Sequence, residues 1–353
     1  MFTGGGTLGH ILPIDPVTRA LRAENPGVGI YFIGTTRGME REYVEKSGLF
    51  TRAFYLDSQG FQRRMTLANA VTLYKHFRNY KQSKRILREI KPDIVVGMGG
   101  YVSGAVVRAA LALKIRTAIH EQNSVYGLTN RVLRRRVDKV LLSYDIEKSE
   151  KCVLVGNPRE SEIRARYRDR IGAVAEKTVL IVGGSRGAAR INDLALGLRE
   201  KFRERRIRTW LVTGRDYYRE NAERLAGMSD EGFEIIPFVT DLPELMLKAR
   251  LVVSRAGATT IAEITALEKV CLLIPSPYVT GNHQEKNALA LASRGAAVMI
   301  RETELNGEGF FMAVTELLEN EPVRKRILNN LAFLAKGDAC AQFVNQLNEM
   351  IVT

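Results

Sequence analysis

The chain has few of the residues that mark several common classes of protein. Its 353 residues include three cysteines, Cys152, Cys271 and Cys340, which are widely spaced and odd in number. They form no metal-ligand pattern and suit a reducing compartment better than a disulfide framework. No apolar run is long enough to cross a bilayer, and no signal peptide with a basic start opens the chain. These features predict a soluble globular protein.

Several catalytic motifs are also missing. The sequence contains no G-x-x-x-x-G-K-[ST] segment, which excludes the P-loop nucleotide triphosphatases. Its first glycine loop lacks the spaced glycines of a dinucleotide fingerprint. Because no Asp-x-Asp pair and no His/Cys cluster occurs, we expect no catalytic metal held by the protein.

The charge of the chain is positive and uneven. The formal net charge is +14, and residues 1–150 hold 24 Lys and Arg against 13 Asp and Glu. The remainder is nearly balanced. A basic N-terminal half indicates a polyanionic partner, which is nucleic acid, an anionic membrane or a phosphorylated substrate. A merely solvated basic surface is the alternative.

Short apolar runs alternate with amphipathic stretches along the whole chain, which predicts βαβ units and doubly wound parallel sheets. Predicted buried strands occupy residues 29–34, 93–100, 116–122, 139–144, 178–184, 208–214, 233–238, 250–257 and 271–277. Predicted helices occupy residues 14–24, 37–47, 69–90 and 103–113. The alternation restarts after the segment VGNPRES (155–161), so the chain looks like two nucleotide-fold halves in tandem.

Four glycine-rich stretches follow predicted strands. They are Gly4–Gly9, Gly97–Gly104, Gly183–Gly187 and Gly257. Glycine permits close backbone approach, and the start of the next helix offers unpaired N–H groups to an anion. One such loop can serve packing alone, but four in corresponding turns indicate phosphate binding along a cleft between the two halves.

Polar residues near these loops are candidates for chemistry. His10 closes the first loop, where a helix N-terminus would favour the neutral imidazole of a general base, although His10 could also only cap its loop. Glu121 and Asn123 end a strand and suit substrate hydroxyls or a helix cap. Glu263 follows Gly257 and suits a ribose, or is an ordinary surface glutamate.

The stretch 63–91 carries nine basic residues and a single acid, Glu89. If Leu73, Tyr74 and Phe77 are exposed beside its basic side chains, the segment predicts an anchor on anionic lipid. No DNA- or RNA-binding motif supports nucleic acid as the partner. A solvated basic helix packed on one face stays open as an alternative.

Seven motifs, in this order, resemble the MurG family of glycosyltransferases. They read GGGTLGHILP, GMGGYVSG, HEQNSVYGLTN, VGNP, VGGSRGA, SRAGATTIAE and NHQEKNA. The resemblance covers nearly the whole chain. It implies an α/β GT-B fold with two Rossmann-like domains facing a central cleft. The N-terminal domain would be residues 1–156 joined by a C-terminal helix at 338–353, and the C-terminal domain would be residues 157–337.

The resemblance also implies a reaction and its partners. The family transfers N-acetylglucosamine from UDP-N-acetylglucosamine to the 4-hydroxyl of the MurNAc-pentapeptide of lipid I, with inversion, giving lipid II. The implied partners are therefore the UDP-sugar, lipid I and the anionic cytoplasmic face of the cell membrane, with other cell-wall synthesis proteins as candidates and no nucleic acid. No cofactor is obligatory, and a role for free Mg²⁺ stays open.

Site residues follow from the resemblance motif by motif. His10 matches the proposed general base, with Glu121 as the second candidate. Positions matching donor contacts are Thr7, Leu8, Gly9, Asn123, Arg159, Ser185, Val239, Ala258, Thr259, Thr260, Ile261, Ala262, Glu263 and Gln284. Positions matching the acceptor pyrophosphate site are Gly5, Gly6, Gly99, Gly100, Tyr101 and Ser103. The expected membrane patch is Arg64, Leu73, Tyr74, Lys75, Phe77, Arg78 and Lys81.

The chain departs from the family pattern at a few positions. Leu8 replaces a second glycine, and its side chain is expected to hinder approach to a phosphate. Glu160 stands where an arginine is usual, with Arg159 one residue earlier. Family members usually carry several apolar residues before the first glycines, so we expect a short first strand here. These departures keep two alternatives open, another GT-B UDP-sugar enzyme such as a 2-epimerase, and a non-catalytic UDP-sugar-binding scaffold.

Overall fold

A computed structural model of the chain describes residues 1–38, 40–60, 67–172, 177–184, 188–334 and 337–352. The chain forms two compact units. The first consists of Met1–Glu162 and Gly337–Thr353, and the second of Ile163–Lys336.

The first unit is built on a seven-stranded parallel sheet with the order β3-β2-β1-β4-β5-β6-β7. Its strands are β1 (Phe2–Thr3), β2 (Tyr31–Thr35), β3 (Arg52–Leu56), β4 (Ile94–Gly97), β5 (Arg116–Glu121), β6 (Lys139–Leu142) and β7 (Cys152–Leu154). The short first strand that we expected is confirmed, since β1 has two residues and nevertheless pairs with both β2 and β4 at the centre of the sheet. The apolar pattern of the sequence did not predict β3 and β7.

Helices cover both faces of this sheet. They are α1 (Ile14–Glu24), α2 (Glu40–Ser47), α3 (Leu67–Ile90), α4 (Gly100–Ala112), α5 (Leu128–Leu133), α6 (Pro158–Tyr167) and the C-terminal helix (Ala339–Val352). Side chains of α1 and the C-terminal helix, among them Ile14, Val17 and Phe343, share one buried cluster with Phe2. Side chains of α3, α4 and α5 form the cluster on the other face. Burial of these apolar surfaces is the main term that stabilises the unit.

The second unit has a six-stranded parallel sheet with the order β10-β9-β8-β11-β12-β13. Its strands are β8 (Thr178–Val182), β9 (Arg208–Val212), β10 (Phe233–Ile236), β11 (Leu251–Ser254), β12 (Val270–Leu273) and β13 (Val298–Met299). Every residue of β8, β11 and β12 is buried, as parallel strands covered on both faces require.

Nine helices of the second unit are described. They are α7 (Ala189–Gly197), α8 (Arg199–Glu204), α9 (Arg215–Glu220), α10 (Ala222–Leu225), α11 (Leu242–Lys248), α12 (Ala258–Ala266), α13 (His283–Ala292), α14 (Gly307–Glu319) and α15 (Glu321–Leu334). Within the described residues, none of the chain's helices combines the length and apolar character needed to cross a membrane.

The division between the units falls inside α6, after Glu162, rather than at residue 156 as predicted. The physical reason is a contact with the other end of the chain. The backbone N–H of Cys340 donates to the Ser161 hydroxyl at 3.1 Å, which holds the first turn of α6 to the start of the C-terminal helix. The sequence pattern changes at Asn157-Pro158, but the packing changes later.

Candidate functional site

The strand order of the first sheet reverses between β1 and β4, which lie side by side at its centre. In open parallel sheets, ligands bind beyond the carboxyl ends of the strands at such a reversal. The two glycine loops of the first half follow these two strands, Gly4–Gly9 after β1 and Met98–Gly100 after β4. The candidate site of this unit is therefore this pair of loops.

His10 lies at the end of a three-residue 3₁₀ helix, Leu8–His10, and α1 begins only at Ile14. We expected His10 at or near a helix N-terminus; it lies four residues before the start of α1, beyond the reach of the first turn over which a helix dipole acts. A hydrogen bond decides the state of the ring instead: Nδ1 donates to the Gly5 carbonyl oxygen at 2.8 Å. With the proton on Nδ1, the lone pair of a neutral imidazole is on Nε2, and this nitrogen is the one that can accept a proton.

The two glycine loops fit against each other closely. A Cβ atom added to Gly99 would lie 2.9 Å from His10 Nε2, and one added to Gly100 would lie 2.3 Å from the Gly5 carbonyl oxygen. Both glycines also have positive φ, +107° and +80°, which L-residues with side chains rarely adopt. Glycine is therefore required at both positions. The imidazole ring of His10, which belongs to the first loop, packs directly against Gly99 of the second loop.

Leu8, the departure from the family pattern in the first loop, is accommodated without strain. It is half-buried in the 3₁₀ helix and is not one of the described non-glycine residues with positive φ. Its carbonyl oxygen accepts hydrogen bonds from the Ile11 and Leu12 N–H groups, both at 2.9 Å. Glycine is not needed here for backbone geometry. Thr7 and Gly6 are the exposed residues of this loop, and Gly9 is half-buried.

Glu40 is a residue of this site that the sequence reading missed. It is fully buried, and its carboxylate accepts hydrogen bonds from the Gly6 N–H at 3.2 Å and from the Thr35 N–H at 3.1 Å. The Thr35 hydroxyl donates to it at 2.5 Å. The Gly6 N–H, which we assigned to the acceptor pyrophosphate, thus points at a protein carboxylate, and buried Gly5 uses its carbonyl to hold His10. The assignment of these two glycines to the pyrophosphate is corrected accordingly.

Glu121, the second candidate base, has a carboxylate fully engaged by neighbours. It is 2% exposed and accepts from the Asn123 N–H and amide, the Gly127 N–H and the Asn130 amide, at 2.9 to 3.0 Å. A carboxylate with four donors is a poor proton acceptor for a substrate. Glu121 is therefore a positioning group that shapes the 123–130 segment, and Asn123 is one of the side chains that it holds.

The remaining residues assigned to the acceptor lie at the start of α4. Tyr101 is 36% exposed, and its ring packs over Gly60, where an added Cβ would approach within 2.4 Å of the ring. Ser103 is buried, and its hydroxyl donates to the Gly100 carbonyl at 2.9 Å. Ser103 therefore closes the first turn of the helix instead of facing a ligand.

Arg159 is buried in α6, 9% exposed, and its guanidinium donates to the Glu162 carboxylate at 2.8 Å. Its backbone N–H donates to the Asn157 side chain at 3.1 Å. Arg159 is therefore neutralised by a carboxylate one turn away, which weakens its assignment as the residue that meets the donor phosphate.

The second unit repeats the geometry of the first. The order of its sheet reverses between β8 and β11, and α12 begins directly after the second of these strands, capped by Gly257. Residues Ala258, Thr259 and Thr260 form its half-buried first turn, while Ile261, Ala262 and Glu263 are buried. Glu263 is 5% exposed, which excludes the alternative of an ordinary surface glutamate. Ser185, the phosphate contact predicted beyond β8, lies outside the described residues.

Two further donor candidates lie in the loops of the second unit. Val239 is half-buried, three residues beyond the end of β10. Gln284 belongs to the first turn of α13, and its side-chain carbonyl accepts from the Ser276 N–H at 2.9 Å. Gln284 thus ties the loop after β12 to α13. A buried ion pair, Arg255 with Glu302, lies beside α12 and was missed because the two residues are far apart in sequence.

Comparison with known proteins identifies glycosyltransferase domains in both halves of the chain. The model of the glycosyltransferase family 28 N-terminal domain matches residues 1–142, and that of the C-terminal domain matches residues 178–339. A transferase of Lactiplantibacillus plantarum is 39% identical, with 99% of each chain covered. It is named UDP-N-acetylglucosamine–N-acetylmuramyl-(pentapeptide) pyrophosphoryl-undecaprenol N-acetylglucosamine transferase.

Solved structures agree on the fold. The crystal structure of Acinetobacter baumannii MurG matches with a TM-score of 0.77 at 25% identity, covering 99% of this chain and 98% of that one. A structure described as a UDP-N-acetylglucosamine 2-epimerase from Listeria monocytogenes matches with a TM-score of 0.70 at 15% identity, covering 98% and 94%. The second likeness shows a shared fold only. The predicted α/β GT-B fold class is confirmed, and the chain belongs to the MurG family of glycosyltransferases.

Proposed function

We propose that the chain transfers N-acetylglucosamine from UDP-N-acetylglucosamine to the 4-hydroxyl of the MurNAc-pentapeptide of lipid I, with inversion, giving lipid II for peptidoglycan synthesis. The observation that carries the proposal is the His10 ring, whose Nδ1 is bound to Gly5 and whose Nε2 borders Gly99 at the switch point of the first sheet. The name of the Lactiplantibacillus plantarum relative supplies the two substrates.

The reaction requires a base for the attacking hydroxyl and stabilisation of the leaving diphosphate. His10 takes the hydroxyl proton at Nε2 as the oxygen attacks the anomeric carbon, and UDP leaves from the opposite face of the sugar. The first turn of α12 offers backbone N–H groups to the donor diphosphate. Buried Glu263 is assigned to the ribose hydroxyls of the donor.

We expect no metal held by the protein, since the donor diphosphate has backbone and helix-terminus partners in this scheme. Free Mg²⁺ that accompanies the diphosphate would act as part of the substrate. Metal analysis of the purified chain after dialysis against EDTA checks this expectation, and a metal ion that stays bound in a one-to-one ratio would contradict it.

The direct test follows UDP release by the purified chain with UDP-N-acetylglucosamine, with and without a short-chain lipid I analogue. Release that depends on the acceptor, together with a disaccharide product, supports the transferase. Formation of UDP-N-acetylmannosamine from the donor alone would establish a 2-epimerase instead. Tight UDP binding without any turnover would establish a scaffold.

A second part of the proposal concerns the membrane. Three apolar side chains of α3 are largely exposed: Leu73 at 62%, Tyr74 at 67% and Phe77 at 55%. Leu73 and Phe77 border an open groove of about 690 Å³ that is also lined by Tyr80, Leu111 and Arg108. Exposed apolar side chains next to basic ones favour contact with anionic lipid.

Of the basic residues predicted for this patch, two are exposed beside the apolar side chains, one is paired with an acid and one lies outside the described residues. Arg78 and Lys81 are exposed, and the Lys81 ammonium lies 4.5 Å from the centre of the Phe77 ring. Lys75 instead pairs with Asp57 at 2.9 Å and is half-buried. Arg64 lies outside the described residues. On helix α5, Leu128 and Val132 are also exposed, at 53% and 61%, and were not predicted.

Sedimentation with vesicles tests the patch. We expect the double variant Leu73→Ser, Phe77→Ser to bind vesicles of phosphatidylglycerol and phosphatidylcholine at least 10-fold more weakly than the natural chain, since each buried apolar side chain adds about 1.5–3 kcal/mol. Phe333→Ser is the matched control, because Phe333 is 88% exposed in the second unit. Equal binding of all three proteins would contradict the proposed anchor.

A further inference from the structure

Glu40 and His10 lie on opposite sides of one peptide group. The carbonyl oxygen of Gly5 accepts from His10 Nδ1 at 2.8 Å, and the N–H of Gly6, which belongs to the same peptide unit, donates to the Glu40 carboxylate at 3.2 Å. In a trans peptide the C=O and N–H groups point in opposite directions. The carbonyl can therefore face the imidazole only while the N–H faces Glu40.

The peptide group has little freedom to rotate away from this arrangement. The Gly5 carbonyl oxygen lies so close to Gly100 that an added Cβ there would approach it to 2.3 Å. On the other side, a Cβ added to Gly5 would lie 2.5 Å from the Glu40 carboxylate. Glu40 itself is fixed at the end of β2 by both the N–H and the hydroxyl of Thr35.

A buried carboxylate at this place is costly and calls for an explanation. Glu40 has no exposed surface, and none of the ion pairs among the described residues involves it. Burying such a group is unfavourable unless its hydrogen bonds offset the lost hydration. A carboxylate that accepts from an amide N–H polarises the peptide, and the partner carbonyl then becomes a stronger acceptor.

We propose that Glu40 is a positioning residue for His10, which acts through the Gly5–Gly6 peptide to hold the Nδ1–H tautomer and to stabilise the positive charge that the ring gains when Nε2 takes a proton. The inference rests on the proposed role of His10 as the base. No bond to substrate involves Glu40, and the transferred proton stays on Nε2 until it is released to solvent.

Among the described residues, the titratable neighbours of His10 include a second imidazole, that of His120. The Met98–Gly100 segment that borders the ring brings none. On β5, burial lowers the pKa of His120 to about 4, and His10 adds a smaller effect in the same direction. His120 is therefore neutral over the range in which His10 is expected to titrate.

The variant Glu40→Gln keeps the size of the side chain and removes its charge. One oxygen can still accept from Thr35, but the amide nitrogen then meets the Gly6 N–H, donor against donor. In ¹⁵N-histidine NMR of the full chain without substrates, we expect the titration midpoint of His10 to move to lower pH by about half a unit or more. Glu45→Gln is the matched control, because Glu45 lies on the same helix, half exposed and paired with Arg41.

The activity readout runs in parallel. In Glu40→Gln, the acid limb of the kcat profile should move to lower pH with the NMR midpoint, and kcat at neutral pH should fall about 2-fold to 3-fold with little change in the donor KM. An unchanged His10 midpoint in a folded Glu40→Gln protein would overturn the inference. Absence of any transferase activity in the natural chain would overturn the proposed function only, since the NMR titration needs no turnover.

If Glu40→Gln does not fold, the pH dependence of the Gly6 amide resonance in the natural chain tests the inference instead. The amide resonance of Gly6 should shift with pH at the same midpoint as the His10 ring, because the two groups share one peptide. A Gly6 amide that is insensitive to the protonation of His10 would overturn the inference.

Discussion

At the residue scale, the His10 imidazole shows how one hydrogen bond decides which nitrogen can do chemistry. The sequence identifies His10 through its place in a glycine loop, but the reason first given, a helix dipole, does not hold in the structure. The Gly5 carbonyl fixes the tautomer instead. Backbone carbonyl directions depend on local φ and ψ, so no pattern of residue types could have shown this contact.

Glu40 could not be found from the sequence for a related reason. It is one of three glutamates in α2, with Glu42 and Glu45, and all three look like ordinary charged helix residues. Only the turn after β2 directs the first of them inward. The same turn makes the predicted start of this helix wrong: residues 37 and 38 lie in the turn, and α2 is described from Glu40.

A first prediction concerns Glu121, whose carboxylate accepts four hydrogen bonds. Glu121→Gln places an amide nitrogen against backbone and side-chain donors, so we expect the free energy of unfolding to fall by about 2 kcal/mol or more. Urea unfolding measures this loss. The pH at which the residual activity is half-maximal should stay unchanged, and a shift of the acid limb would show that Glu121 is the base after all.

A second prediction concerns the buried His120, whose Nε2 lies 3.1 Å from the Gly156 carbonyl oxygen. Burial lowers the pKa of His120 from 6.5 to about 4. Between pH 6.5 and 4, His120 is therefore protonated in the unfolded chain but neutral in the folded chain. Stability is therefore lost as the pH falls from about 6.5 towards 4, by roughly 2–3 kcal/mol in total.

His120→Gln keeps a donor for the Gly156 carbonyl and removes the titration. Urea unfolding at pH 7 and at pH 4.5 compares the two chains. The natural chain should lose about 2 kcal/mol more than His120→Gln over this interval. Equal losses in the two proteins would contradict the assigned role of this imidazole in acid sensitivity.

At the element scale, the regular parts of the fold follow from the sequence. Helix α1 was predicted with the bounds that the structure has, because its apolar face and flanking loops leave a clear signal. Strands β3, β7 and β13 were missed. Strand β3 is only partly buried along most of its length, and β7 and β13 have three and two residues, too few for a periodic signal.

The close fit of the two glycine loops gives a prediction at this scale. Gly100→Ala adds a Cβ that meets the Gly5 carbonyl and also strains a positive φ. We expect transferase activity to fall at least 10-fold and the free energy of unfolding to fall by more than about 1 kcal/mol. Activity assays and thermal unfolding measure the two effects.

Gly48→Ala is the control for strain alone. Gly48 also has positive φ, +63°, but an added Cβ there meets no atom within 4 Å. It should lose about 1 kcal/mol of stability and keep its activity. If Gly100→Ala behaves like Gly48→Ala, contact between the loops does not matter for the site.

At the scale of the whole molecule, two parallel-sheet units with a strand-order reversal in each explain why glycine loops recur along the chain. Each reversal needs two close strand-to-helix turns, and glycine permits them. The sequence predicts this repetition and the fold class. It does not place the division of the units after Glu162, because that position depends on the contact between Ser161 and the start of the C-terminal helix.

The central claim is that His10 is the base of an acceptor-dependent sugar transfer, and the measurement that tests it most directly is UDP release by His10→Ala in the presence of UDP-N-acetylglucosamine and a lipid I analogue. Removing a positioned base typically costs about 10²–10⁴-fold in rate. We therefore predict a kcat lowered by at least 100-fold with a donor KM within a few-fold of that of the natural chain. A His10→Ala protein that keeps most of its acceptor-dependent rate would contradict the account.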